Sequence, residues 1–292
     1  MRNLLALLLD CTPDELARIA RWWQVDLEGV DLHQDVSRLY RTMTDPWSLA
    51  LIWDAMSDLE RAAVGMLAEA EAEMTAGEAA GRVSALPLGS VNDQVPVLGE
   101  LTESGWIFSE QPELPTLESS PRSIFVPREL AHLIGRLRDE RKLASPLELE
   151  PDALLDRLDD QELYEIARQL GYRVVPAVAA RQDMLAFLSP RLGDPDAVRE
   201  RTRMLDPTSA RLFTALEAHR GVVYPAKIHE ELTPSTPALR RSIRLLASHA
   251  LLWRGYDDAG RLQLIVPEVI LHPRRPPPPE QPALECVDAT KV

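Results

Sequence analysis

One stretch of this chain returns, in order, after about half its length. Asp14-Glu15-Leu16-Ala17-Arg18-Ile19-Ala20-Arg21 reappears 147 residues later as Gln161-Glu162-Leu163-Tyr164-Glu165-Ile166-Ala167-Arg168. Asp45-Pro46 returns as Asp194-Pro195, an offset of 149, and Met56-Ser57-Asp58 returns as Leu205-Asp206-Pro207. Phe125-Val126-Pro127 returns as Ile265-Val266-Pro267, an offset of 140. A repeat of this length exceeds the roughly 20–50 residues of a solenoid unit, so it implies a whole domain used twice. Any function must be one that a doubled module performs.

The length fits this. At 292 residues the chain suits two units of roughly 140 residues, each able to bury its own core. We expect a first unit over 1–146, a second over 147–272 and a tail over 273–292. The junction Arg141-Lys142-Leu143-Ala144-Ser145-Pro146 is polar and ends on proline. The tail holds Pro273 and the run Pro276 to Pro279 without apolar periodicity, so it reads as disordered or polyproline-like.

Local signals give each unit the same rhythm. Thr12-Pro13-Asp14-Glu15 is a capping box with proline at the first helical position. The apolar stripe Leu16, Ile19, Ala20 and Trp23 follows it at helical spacing. A second helix is expected over about 32–43, and a third begins at Asp45-Pro46. In the second unit the counterparts fall near 159–170, with Gly171 as a stop signal, near 181–189, and after Asp194-Pro195. Each back half then predicts three helices and a two-stranded hairpin. The helices lie near 57–70, 75–83 and 92–104 in the first unit, and near 207–219, 225–232 and 237–249 in the second. The strands are expected at Trp106-Ile107-Phe108 and Ser123 to Val126, and at Leu251 to Arg254 and Leu262 to Val266. The loop from Glu110 to Arg122 carries three prolines and should be mobile. Three helices followed by a hairpin is the order of a winged helix. The fold class expected is mostly α, with small β-hairpin wings.

Composition excludes several functions. The net charge of −14 opposes general nucleic-acid binding, which needs lysine and arginine against phosphate. The charge is uneven: residues 1–100 hold 7 basic and 17 acidic residues, whereas 201–250 hold 8 basic and 4 acidic. The apolar start Leu4 to Leu9 is too short to span a bilayer and carries no signal-peptide pattern. Two cysteines, Cys11 and Cys286, without metal spacing suit a reducing cytoplasm. There is no phosphate loop, dinucleotide fingerprint, nucleophile elbow or zinc-protease helix, and the six histidines show no metal spacing. We therefore expect a non-enzymatic protein without cofactor, metal or small-molecule substrate.

The arrangement resembles a known family. Gln161-Glu162-Leu163 through Leu170-Gly171-Tyr172 to Asp183-Met184-Leu185 is similar to the SAP-type DNA-binding motif. Coupled to Asp-Pro and a winged helix, it resembles the helicase-associated domain found at the N-terminus of XPB-type helicases and in stand-alone bacterial proteins. The resemblance covers about residues 10–270 in two copies and rests on apolar spacing and a few Gly and Pro positions. It implies a tandem of SAP-like helical bundle plus winged helix, and DNA-associated work beside a helicase. The departure is that no motor is present.

The candidate contact surface is the third helix of the second winged helix, an element that commonly enters the major groove. Leu239, Ile243, Leu246 and Ala250 form its core stripe. Arg240, Arg241 and Arg244 fall opposite, with Lys227, His229 and Arg254 nearby. Two readings stand: nucleic-acid contact, or a solvated face and intramolecular pairing. In the first unit the equivalent positions are Val95, Pro96 and Gly99, beside Asp93, Glu100 and Glu103, which suits protein contact instead. Trp22 or Trp23 is a candidate for a partner surface, with core packing as the other reading. The acidic run Glu69 to Glu73 and the charges from Arg136 to Lys142 read as solvated helix ends. The function expected is a DNA-associated accessory role, binding through the second winged helix or docking a helicase or DNA-processing complex. The alternative is an acidic scaffold for protein–protein assembly without nucleic-acid contact.

Overall fold

The computed structural model describes residues 3–70, 74–86, 91–109, 123–173, 175 and 179–273, excepting the side chains of Ala76 and of 91–96. The expected loop over 110–122, most of the extended segment after Tyr172 and the tail beyond Pro273 lie outside these residues. The molecule is mostly helical, with two small three-stranded antiparallel sheets.

The first half runs α1 (Leu4–Asp10), α2 (Pro13–Trp22), α3 (Leu32–Met43), α4 (Pro46–Ala55), α5 (Asp58–Glu69), β1 (Met74–Thr75), α6 (Ala76–Ser84), α7 (Val91–Glu103), β2 (Phe108–Ser109), β3 (Ser123–Phe125) and α8 (Arg128–Glu140). The second runs α9 (Pro151–Leu155), α10 (Asp160–Gln169), α11 (Arg181–Leu192), α12 (Pro195–Arg203), α13 (Pro207–Ala218), β4 (Val222–Val223), α14 (Pro225–Leu232), α15 (Thr236–Ser248), β5 (Trp253–Tyr256), β6 (Leu262–Ile265) and α16 (Glu268–Leu271). The strand orders are β1-β3-β2 and β4-β6-β5. Register pairs Phe108 with Phe125 in one sheet and Trp253 with Ile265 in the other.

The hairpin expected in each half is thus joined by a third strand that was not expected. β1 and β4 are two residues long, too short to show a period. Trp106 and Ile107 also differ from expectation. They form the turn that closes α7, with Trp106 N–H donating to Leu101 O at 3.0 Å, and the strand starts at Phe108.

Local chemistry recurs at the offsets seen in the sequence. Thr12 and Glu15 close a capping box at α2, and Asp159 and Glu162 close one at α10, 147 residues on. Asp45 accepts from Ser48 N–H at α4, and Asp194 from Ala197 N–H at α12. Ser57 and Asp206 cap α5 and α13 in the same way. Val25 N–H reaches back to Ala20 O, and Tyr172 N–H to Ala167 O, both at 2.8 Å. This six-to-one bond closes a helix around a left-handed residue. Those residues are Gln24 (φ 53°) and Gly171 (φ 95°).

Two cores form. One gathers α1–α8 around Trp23, Leu39, Leu101, Trp106 and Leu130, all fully enclosed. The other gathers α9–α16 around Leu163, Leu188, Leu216, Ile243 and Leu264. They exchange residues at the seam. Trp47, at the start of α4, packs in the second core, and Leu262 of β6 packs in the first. Leu262 N–H also donates to Asp54 Oδ1 at 2.9 Å. α4 touches both α15 and β6, so the halves are packed side against side.

Candidate functional site

The seam collects most of the residues singled out in the sequence. α15 forms because Pro237 begins its first turn and Leu239, Ile243 and Leu246 repeat at helical spacing; all three are buried against the second core. For the opposite face the sequence left nucleic-acid contact open against a solvated face or intramolecular pairing. The structure places Arg240 against the first half, only 6% exposed, with Nη1 donating to the backbone carbonyl of Trp23. Burial of this guanidinium, with Arg244 nearby, lowers its pKa. Arg244 stands half exposed with Nε 3.9 Å from Asp45 Oδ2. Arg241, between them in sequence, is exposed. A helical stripe identifies the face toward its own core; it carries no sign of a second face covered by another module.

Arg254, expected beside the contact helix on the hairpin, is buried in a charge cluster. Its Nε and Nη2 grip Glu140 at 3.0 and 2.8 Å, and Nη2 also reaches Glu162 at 3.1 Å. The guanidinium lies over the Trp47 ring, 5.1 Å from its centroid. Arg136 completes the cluster through Glu140 at 3.1 Å, Asp159 and Glu162. Burial alone would raise the Glu162 carboxyl, but the charges of Arg254 and Arg136 outweigh it and hold its pKa below the ordinary value. Burial likewise opposes the charge of Arg254, and Glu162 and Glu140 overcome it, raising its pKa. The cluster joins the end of α8 to the capping box of α10 and to β5. The run Arg136 to Lys142, expected as a solvated helix end, is therefore in part an interface. Arg141 adds to it, with its guanidinium over the Tyr256 ring at 5.3 Å.

The remaining candidates are dispersed. Lys227 and His229 are exposed on α14. Lys227 Nζ lies 3.4 Å from His219 Nδ1 and 3.9 Å from Glu231. Trp23 is fully enclosed and donates Nε1–H to Ser104 O at 2.8 Å, so it is not available to a partner. Trp22 is partly buried and stacks edge-on to Trp106 at 5.9 Å. With Trp53, 5.8 Å from Trp106, the indoles form one aromatic cluster, which is the core-packing reading. Of the acidic run, Glu69 pairs with Arg138 of α8, and 71–73 lie outside the described residues.

Sequence reasoning missed Arg201. It is 2% exposed and has no carboxylate partner. Its guanidinium donates to the carbonyls of Leu192, His249, Ala250 and Ala197 and, more weakly, of Arg191. Burial pushes its pKa down to about 10, with Asp194 opposing. The signal was present: Arg201 falls three residues after Val198 and four before Leu205, on the inward face of α12.

At the seam a cleft of about 880 Å³ opens between the halves, bounded by α3, α8, α10, α15 and β5. Arg41, Asp45, Arg241 and Arg244 lie at it, with Trp253 and the buried charge cluster also in its wall. Among the described residues no group of three or more His, Cys, Asp or Glu is placed to hold a metal, and no helix is long and apolar enough to cross a membrane. Comparison with known proteins finds no matching family model, no matching curated protein and no matching solved structure.

Proposed function

We propose that the chain is a non-catalytic scaffold for protein–protein assembly, built from two copies of one module, each a helical bundle followed by a winged helix. The duplication is supported by the matched caps and helix ends, and by two sheets of identical strand order, each preceded by helix, strand, helix, helix. One observation favours a scaffold over a DNA-binding role. The arginine face of α15, the face a winged helix would offer to a groove, is turned toward the first half through Arg240 and Arg244. Arg254 of the adjoining hairpin is consumed by Glu140 and Glu162. A groove-binding face needs several exposed cations; α15 leaves Arg241 and part of Arg244 exposed, and the chain carries net −14.

Two measurements test this. Titration of the protein into labelled duplex and single-stranded DNA at low salt should give no saturable binding. Affinity capture from the source cell should return a stoichiometric protein partner that survives nuclease treatment. Saturable DNA binding with a steep salt dependence would reverse the choice and restore the nucleic-acid reading.

A further inference from the structure

We propose that the cleft between the halves binds a phosphorylated small molecule, held by Arg41 from the first half and by Arg241 and Arg244 from the second. All three line this cleft. Arg241 and Arg244 are one turn apart on α15 and so share a face. Arg244 Nε lies 3.9 Å from Asp45, and Arg41, near the end of α3, lines the same cleft. Asp45 lies among these arginines, and it is already capping α4 through Ser48 N–H at 2.7 Å.

The cleft has donors without acceptors. Arg41 and Arg241 are exposed and make no hydrogen bond or close ion pair among the described residues, although the charge of Arg241 is felt by the Asp206 carboxylate. Trp253 also lines the cleft, with its own Nε1–H buried away from it. The cleft's carboxylates are mostly engaged elsewhere. Glu140, Asp159 and Glu162 are held by Arg136 and Arg254, and Glu129 accepts from Leu4 N–H. Glu165 on α10 remains in the wall and disfavours negative charge at that side, which confines an anion to the arginine end. A phosphate group supplies only acceptor oxygens, carries up to two charges and matches the planar fork of a guanidinium. The cleft volume falls within the range of roughly 300–1,000 Å³ occupied by small-molecule sites. A ligand here would touch both halves and stabilise their packing by mass action.

Calorimetric titration and thermal unfolding at fixed ionic strength, with pyrophosphate and ATP as probes, decide the matter. Both probes should bind saturably and raise the unfolding midpoint. The double variant Arg41→Ala/Arg241→Ala should unfold like the parent without ligand, because both side chains are exposed, yet bind pyrophosphate about a hundredfold more weakly, roughly tenfold for each charge-assisted contact. Arg41→Lys/Arg241→Lys should recover part of that loss, since the charge returns without the fork. Absence of saturable binding by either probe overturns the proposal, as does equal binding by the alanine variant. Citrate binding as tightly as pyrophosphate overturns the assignment to phosphate. These outcomes are separate from DNA titration and partner capture, so the scaffold reading can survive the loss of this site.

Discussion

The ends of α7 and α15 occupy matching places in the two halves, and the halves finish them with different chemistry. Both helices close through a six-to-one bond, Trp106 N–H to Leu101 O and Leu251 N–H to Leu246 O, around Gly105 (φ 74°) and Ala250 (φ 50°). Both leave carbonyls facing the interior. In the first half Ser104 O is satisfied by the Trp23 indole, within a cluster of four tryptophans. In the second, His249 O and Ala250 O are satisfied by the Arg201 guanidinium, which at the same time holds the end of α11. A buried carbonyl must find a donor, but its identity is free. One half uses an apolar ring with a single N–H. The other uses a charged group that burial penalises and five carbonyls compensate.

The largest expected effect breaks the second arrangement. Arg201→Ala removes a donor from five carbonyls and opens a cavity, so it should lower stability by about 4 kcal/mol, measured by urea unfolding. Arg201→Lys should recover little, because one ammonium cannot serve carbonyls from two helices in a plane. A loss under about 1 kcal/mol would show that water replaces the guanidinium and that the two helix ends are not equivalent constraints.

Next is the seam itself. Arg254→Ala leaves Glu140 and Glu162 facing each other with less compensation and should cost roughly 3 kcal/mol, near the lower end for breaking a buried pair. Arg254→Met/Glu162→Leu should regain much of this, since replacing buried charges with apolar groups is often neutral. The same single variant should quicken proteolytic cleavage at the junction near Ser145, because Arg254 ties α8 to the second half. Unchanged cleavage would mean that Trp47 and Leu262, each lodged in the other half's core, are sufficient to hold the halves together.

Trp23→Phe tests the first arrangement and should cost about 2 kcal/mol, from the lost N–H to Ser104 O and lost ring contact. Trp53 and Trp106 stay within the cluster, so the emission of the remaining indoles should shift as their packing loosens. An effect matching that of Arg201→Ala would remove the distinction between a ring and a charge at these two ends.

What the sequence made legible was local. Capping boxes, Asp-Pro helix starts and apolar stripes are set by neighbours within four residues, so α2, α3, α10 and α13 fall where their residues predict. β1 and β4 were not legible, because two residues have no alternation and their pairing to β3 and β6 is set across the fold. The arginine face of α15 was legible as a face and illegible as an interface. Its periodicity gives the direction of Leu239 and Ile243, but the carbonyl of Trp23 that meets Arg240 lies 217 residues away. The cleft shares this reason, since Arg41 and Arg241 line one cleft only when the halves pack.

The smallest expected effect is a slope with pH. His249 follows α15 beside Arg201, is 1% exposed and has Nε2 3.4 Å from Gln169 Nε2, while its Nδ1 has no partner. Burial first, and then the charge of Arg201, lowers its pKa. The sign follows: the folded state holds this imidazole neutral where the unfolded chain, with an ordinary pKa near 6.5, would already bind a proton. Its stabilising contribution is complete above that unfolded value and is lost as pH falls from it toward the folded one. Glu162, also lowered, has the same sign but acts near the carboxylate range, further into acid. Between about pH 7 and pH 5 the slope should therefore belong to His249. The first half has Ser104 at the matching position, which cannot titrate in this range. His249→Gln should flatten unfolding free energy against pH in that interval and leave the acid limb in place. If the slope persists in the variant, the titrating group lies elsewhere.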